Sequence, residues 1–295
     1  MARKFSAGGL VFNIILYAVF LLFVFLCLYP FYYILIYSVS DTMQAVKGVT
    51  FFPRGLTFTN YAKIFELPGI ALATLVSIFR TVVGGFVTVL CCAFFGYLMT
   101  KQKMYGRKII YRFFVVTMYL NAGLIPTYLV MRAYHLNNNL LIYILPFALV
   151  PYYVILIKTF IEQIPPALEE SAKMDGAGLL TIFFRLIIPL SAPIIATIAV
   201  FAAVGQWNSY FDNLIYMVGS KQFNTLQLIL YQYISRAATV SNSINIATAQ
   251  TLAQQVSPDT IRMTITMIVT LPILFVYPIA QKFFVKGIMM GAVKG

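Results

Sequence analysis

The sequence predicts an all-α membrane protein with six transmembrane helices. Three observations carry this. Hydrophobic residues make up 61% of the chain and charged residues only 10%, against roughly 25% charged in soluble domains. The mean hydropathy is +0.88. The apolar residues also gather into six runs, each about as long as the ~20-residue helix that crosses a bilayer. They cover about 12–39, 72–100, 109–131, 140–161, 187–210 and 263–284.

The first run follows Arg3 and Lys4. It outlasts the roughly 7–15 apolar residues of a signal peptide and precedes no small-residue cleavage site, so it reads as a retained span. The second contains Gly84-Gly85 and Gly96, where helices can approach closely. It also carries Arg80. A charge inside a span is a functional candidate, although this one also stands near enough to the outer end to snorkel. The later runs hold Pro126, Pro146, Pro151, Pro193, Pro272 and Pro278, breaks that membrane helices tolerate where neighbours satisfy the freed backbone. Cys27, Cys91 and Cys92 fall inside apolar runs without metal-ligand spacing and read as packing residues.

An even number of spans places both termini on one side. With that side cytoplasmic, eleven Lys and Arg residues fall inside and seven outside. The inside excess follows the positive-inside rule and gives a multi-pass cell-membrane protein with both termini cytoplasmic. The net charge of +13 then reflects topology and anionic membrane lipid rather than nucleic acid.

This orientation puts the segment 162–189 in the cytoplasm. Pro165 and Pro166 suit a first helical turn. Glu169 and Glu170 face the positive end of that helix's dipole and Lys173 the negative end, and Gly176 can supply the left-handed residue that stops it. A second short helix follows from about 179 to 187, apolar on nearly every face. Ser171, Ala172 and Gly176 are small enough for another backbone to come close. The segment reads either as a knob that docks into a cytoplasmic partner or as an amphipathic helix lying on lipid.

Here the chain resembles a known family. Glu170, Ser171 and Ala172, then Gly176, then nine residues later Leu186-Ile187-Ile188-Pro189, are similar to the E-A-A-x3-G-x9-I-x-L-P motif of ABC-importer permeases. The spacing is kept, with conservative changes at Ser171, Leu186 and Ile188. The loop Phe52-Pro53-Arg54-Gly55 to Tyr61, the stretch Gly123–Leu129, Trp207-Asn208 and the tail Phe284-Val285-Lys286-Gly287 to Lys294-Gly295 look like those of the maltose-type carbohydrate permeases. The likeness is closest to the branch serving complex oligosaccharides.

The resemblance implies a type I ABC-importer transmembrane domain over 1–295 that moves a carbohydrate by alternating access. Its partners would be an ABC ATPase dimer, a second homologous permease and an extracytoplasmic solute-binding protein. It also implies that Glu170, Ser171, Ala172, Asp175 and Gly176 form the joint with the ATPase, and that Lys286, Gly287 and Lys294 of the tail reach toward it. Simple membrane anchoring is the plainer account of that tail. No G-x-x-x-x-G-K-[ST] stretch occurs, so ATP and magnesium belong to the partner ATPases; no catalytic, cofactor or metal site is expected here.

Trp207, Tyr210, Phe211 and Leu214 fall at helical spacing, with Asn208 and Asp212 one turn apart. Trp207, Asn208, Tyr210 and Asp212 therefore read either as part of a sugar path or as an interfacial aromatic belt. A permease for a non-sugar solute and a secondary transporter remain the competing readings. The latter usually needs an intramembrane carboxylate, whereas all eight acids map to loops or span ends.

Overall fold

The computed structural model describes residues 7–49, 51–120, 122–240 and 257–292. Among these residues it is nearly all helical and contains no strand; Ser40 and Leu56 form an isolated antiparallel bridge. The chain divides into two compact units. One comprises Met1–Pro68 and Tyr233–Thr270, the other Gly69–Gln232 and Leu271–Gly295.

Three helices are long and apolar enough to cross a membrane: Gly9–Ser38, Ile70–Thr100 and Pro258–Pro278. Two further pairs qualify only as bent units. Leu140–Phe147 meets Pro151–Ile161 at 46°, and Leu179–Leu190 meets Ala192–Asn208 at 85°. Among the described residues, three to five helical units thus meet this length and composition test. The run 109–131 does not meet it as one helix, because it folds as two, Arg107–Tyr119 and Leu124–Ala133. Between them Leu120 is extended and Gly123 takes φ 84°, ψ 174°, a conformation reserved almost wholly for glycine.

In the first unit, α1 (Ala7–Ser38) exposes apolar side chains on every face, among them Tyr17, Leu21 and Phe23. Such a surface suits lipid or another membrane helix. The carbonyls freed where α1 ends need donors from elsewhere. Asn60, on α3 (Thr59–Glu66), donates its amide to Ser38 O at 2.9 Å and Ser40 O at 2.8 Å. Asp41 Oδ1 caps the four-residue α2 (Thr42–Ala45) by accepting from the Met43 and Gln44 N–H groups, each at 3.1 Å.

The second unit is built on α4 (Ile70–Thr100), followed by α5 (Arg107–Tyr119), α6 (Leu124–Ala133), α7 (Pro151–Ile161), α8 (Pro166–Met174), α9 (Leu179–Leu190), α10 (Ala192–Asn208) and α11 (Phe211–Tyr216). Cys92, Ala93 and Tyr97 of α4 bury against Val154 and Ile157 of α7, Phe183 of α9 and Ile198 of α10. Gly96 sets the α4–α7 approach. A Cβ there would lie 3.2 Å from both Ile157 Cγ2 and the Val154 carbonyl oxygen. Gly96→Leu is expected to overpack this contact at a cost of about 1–3 kcal/mol, read as a lower melting temperature of the purified protein in detergent.

Two wide helical turns interrupt the ordinary pattern, Arg80–Gly84 in α4 and Phe183–Ile187 in α9. Each is a π-type turn. Such turns are rare and concentrate at functional positions.

Candidate functional site

The segment 162–190 folds as two short helices around a glycine. Pro165 and Pro166 open α8. At its other end the Gly176 N–H donates to Lys173 O at 3.0 Å and the Ala177 N–H to Ala172 O at 3.0 Å. With Gly176 at φ +80°, this is the Schellman stop, which needs a left-handed residue. The Ala172 and Ala177 side chains close the motif against the apolar core.

The segment has two dissimilar sides. Glu170, Ser171, Asp175 and Gly176 are all exposed, as are Leu168, Met174, Leu180 and Phe184. The other side is tied down. Lys101, the first residue beyond α4, pairs with Glu169 Oε2. Lys173 reaches Glu169 Oε1 at 2.8 Å, and the Tyr97 hydroxyl lies 3.4 Å from the same oxygen. The Lys101 ammonium also sits 3.8 Å from the centre of the Tyr97 ring, which stacks on Phe183 at 5.6 Å. Burial by itself would raise the Glu169 carboxyl, but the hydrogen bonds and charges of Lys101 and Lys173 outweigh it and hold it below the usual value. A cavity of about 260 Å³ adjoins the cluster, lined by charged Lys101, Arg107, Glu162 and Glu169 and by apolar Ile161 and Leu186 among others.

A second site surrounds Arg80. The side chain is fully buried rather than snorkelled, and all five of its N–H groups find acceptors. Nε and Nη2 donate to Gln206 Oε1 at 3.2 and 3.0 Å. Nη1 donates to Ser209 O at 3.1 Å and to Asp212 Oδ1 at 3.3 Å, and Nη2 to Asp212 Oδ2 at 2.6 Å. The guanidinium stands 4.5 Å from the centre of the Tyr143 ring. Asp212 Oδ1 accepts further bonds from Ser209 Oγ and the Asn213 N–H, both at 2.9 Å.

The network returns to α4. Asn213 Oδ1 accepts from the Thr225 N–H at 2.8 Å, and the next N–H, of Leu226, donates to Ser77 Oγ at 2.8 Å. Gly84, in the wide turn, leaves room for Gln206: a Cβ there would be 2.9 Å from its amide nitrogen. A cavity of about 190 Å³ beside the network is lined by Arg80, Thr88, Phe147, Tyr153, Gly205 and Gln206 among others.

These contacts redraw the region after the fifth run. α10 stops at Asn208, Ser209 is extended, and α11 begins at Phe211, so helical spacing does not continue from Trp207 to Leu214. The break gives Arg80 the Ser209 carbonyl. Asn208 is exposed, Trp207 is half-buried, and Tyr210 stacks on Tyr231 with ring centres 4.6 Å apart. Asp212, expected at a span end, is 7% exposed and paired. Lys286 and Gly287 lie in the helix Pro258–Ala292, and Lys294 lies outside the described residues.

The sequence profile of one family, described as the binding-protein-dependent transport system inner membrane component, matches residues 93–290. The chain belongs to this family. It is the permease subunit of an ABC importer and not an enzyme. LplC of Bacillus subtilis is 37% identical to this permease over 268 residues, covering 90% of this chain and 89% of LplC. The polygalacturonan/rhamnogalacturonan transport system permease protein YtcP of the same organism is 34% identical over 286 residues, covering 96% and 98%. A solved bacterial ABC transporter involved in the import of the acidic polysaccharide alginate superposes with a TM-score of 0.87 at 29% identity, over 96% of this chain and 100% of that one.

Of the loop residues that the sequence singles out for docking, Glu170, Ser171, Asp175 and Gly176 are exposed, and Ala172 is half-buried against the core. Sequence reading gave Glu169 only a helix-dipole role and passed over its partners Tyr97 and Lys101. One signal was available: Glu169 and Lys173 stand four apart, so one face of α8 carries a charge pair of its own. For Arg80 the signal was the cost of an unpaired intramembrane charge, which demands a partner.

Proposed function

We propose that this permease subunit carries an oligosaccharide, of acidic type, across the cell membrane, driven by ATP hydrolysis on separate subunits. Its chain crosses six times with both termini in the cytoplasm. Two ATPase subunits bind ATP and magnesium, a second homologous permease completes the membrane pathway, and an extracytoplasmic solute-binding protein delivers the sugar. The α8–α9 loop docks on an ATPase through Glu170, Ser171, Ala172, Asp175 and Gly176, with Lys286, Gly287 and Lys294 of the tail directed to the same subunit.

The observation that carries this reading is the two-sidedness of the loop. One side presents small and acidic residues around Gly176 beside exposed Met174 and Leu180, while the other is tied to α4. That is the build of a surface made to be pushed. The sugar assignment is supported by what YtcP and the alginate importer are named for. It is supported also by the cavity at Tyr153, Thr88 and Gln206, where an aromatic face and polar rims suit a sugar ring. Trp207, Asn208, Tyr210 and Asp212 are the proposed sugar-path residues near it; of these, Asp212 bears on the cavity through Arg80, which lines it.

The test uses the assembled transporter in proteoliposomes with its binding protein. Oligogalacturonate or oligoalginate is expected to stimulate ATP hydrolysis several-fold, with no response to a peptide. Stimulation by peptide and by no carbohydrate would overturn the sugar assignment.

A further inference from the structure

We infer that Tyr97, Lys101 and Glu169 form a clamp that transmits movement of the α8–α9 loop to α4. This rests on the proposed docking of that loop, but concerns what lies beneath the docking face. None of the three is among the residues that meet the partner.

The need for a clamp follows from the loop's attachments. α8 has nine residues, too few to be stable alone. It hangs between a proline pair and a glycine at φ +80°. A body held only at its two ends would turn about the line joining them, and a push from outside would be lost as rotation. Side contacts to a rigid helix remove that freedom.

The structure supplies two, one on each side of Gly176, and both fall at the C-terminal end of α4. On the α8 side, Glu169 takes Lys101 and the Tyr97 hydroxyl. On the α9 side, Phe183 stacks on the Tyr97 ring at the wide turn Phe183–Ile187. Lys101 follows α4 directly, four residues after Tyr97, and its ammonium rests on the Tyr97 ring. Tyr97 and Phe183 are 0% and 1% exposed. The Lys101 and Glu169 side chains are 18% and 17% exposed, far drier than an ordinary surface pair. Lys101 also stands at the negative end of α4 and Glu169 in the first turn of α8, so both helix dipoles favour the pair. Two separated attachments to one end of one helix fix orientation as well as position. These residues are positioning residues and touch no solute.

The experiment uses the complete transporter in proteoliposomes. It measures solute taken up per ATP hydrolysed together with retention of the ATPase subunit through purification. Glu169→Gln and Lys101→Met are each expected to retain the ATPase and its hydrolysis, while solute moved per ATP falls roughly two- to thirtyfold, the range of coupling changes seen for mutations between sites. Lys101→Arg keeps the charge and should return the ratio to that of the unaltered protein. The double variant Lys101→Met/Glu169→Gln should lose no more than either single one, because a pair can be broken only once. An unchanged ratio in both single variants would overturn the clamp and leave the docking proposal standing. Loss of the ATPase from Glu169→Gln would overturn it too, because Glu169 would then act in docking. Retention of the ATPase by Glu170→Lys, by contrast, would sink the docking proposal itself.

Discussion

Gly176→Pro is expected to abolish ATP-driven uptake while the protein still reaches the membrane. Gly176 sits at φ +80° and its N–H donates to Lys173 O. Proline fixes φ near −65° and has no N–H, so the substitution breaks the Schellman stop in two ways and re-aims everything from Ala177 onward. A Cβ at this position would meet nothing within 4 Å, so crowding plays no part. That isolates the backbone: Gly176→Ala should cost only the left-handed strain of about 1–2 kcal/mol and leave partial uptake. Glu170→Lys should act differently, reversing one exposed charge without touching the fold, and release the ATPase during purification. Uptake by membrane vesicles and retention of the ATPase check all three. Normal uptake by the proline variant would mean that the loop does not couple to the ATPase.

Asp212→Asn is expected to destabilise the protein more than any other single change in the buried network. It would leave the Arg80 guanidinium buried opposite a neutral amide, and breaking one partner of a buried pair typically costs about 3–5 kcal/mol. An Asn oxygen at the Oδ1 position can still accept from Ser209 Oγ and the Asn213 N–H, but the other position becomes an NH2 that faces Arg80 Nη2, donor against donor. Arg80→Met should cost less, since the remaining carboxylate keeps the Ser209 and Asn213 donors without setting donor against donor. Arg80→Met with Asp212→Leu removes both charges, and replacing a whole buried pair with apolar groups is often close to neutral. Melting temperature and folded yield in detergent should therefore rank the double variant above Asp212→Asn. The reverse order would mean that the pair itself, not the orphaned charge, sets the stability.

The long helices were legible because a continuous apolar run has little choice but to satisfy its own backbone inside a membrane. α1 and α4 follow their runs closely for that reason. The loop around Gly176 was legible too, since proline, acid, base and glycine stand in the order that starts and stops a short helix. The breaks were not. The separation of Arg107–Tyr119 from Leu124–Ala133 falls inside an apolar run, and nothing in hydropathy marks where Gly123 adopts a glycine-only conformation. The end of α10 at Asn208 was hidden likewise, because its cause is 129 residues upstream: Arg80 takes the Ser209 carbonyl. Periodicity reports neighbours along one helix and is silent about partners on another. Tyr97 was missed for the same reason. In sequence it is one aromatic among many, and only its contact with Glu169 and Phe183 sets it apart.

α4 carries one ionic anchor about a third of the way along, at Arg80, and a second just past its C-terminal end, at Lys101. Arg80 and Lys101 are 21 residues apart, which at about 1.5 Å per residue places them roughly 30 Å apart along the axis, about the thickness of a bilayer's hydrocarbon core. A rod pegged at two such levels cannot piston: sliding along its own axis by a few ångström would pull at least one charge off its counterion. What remains is tilting or turning as one piece with the segments it is pegged to, so α4 behaves as a crank and not as a plunger.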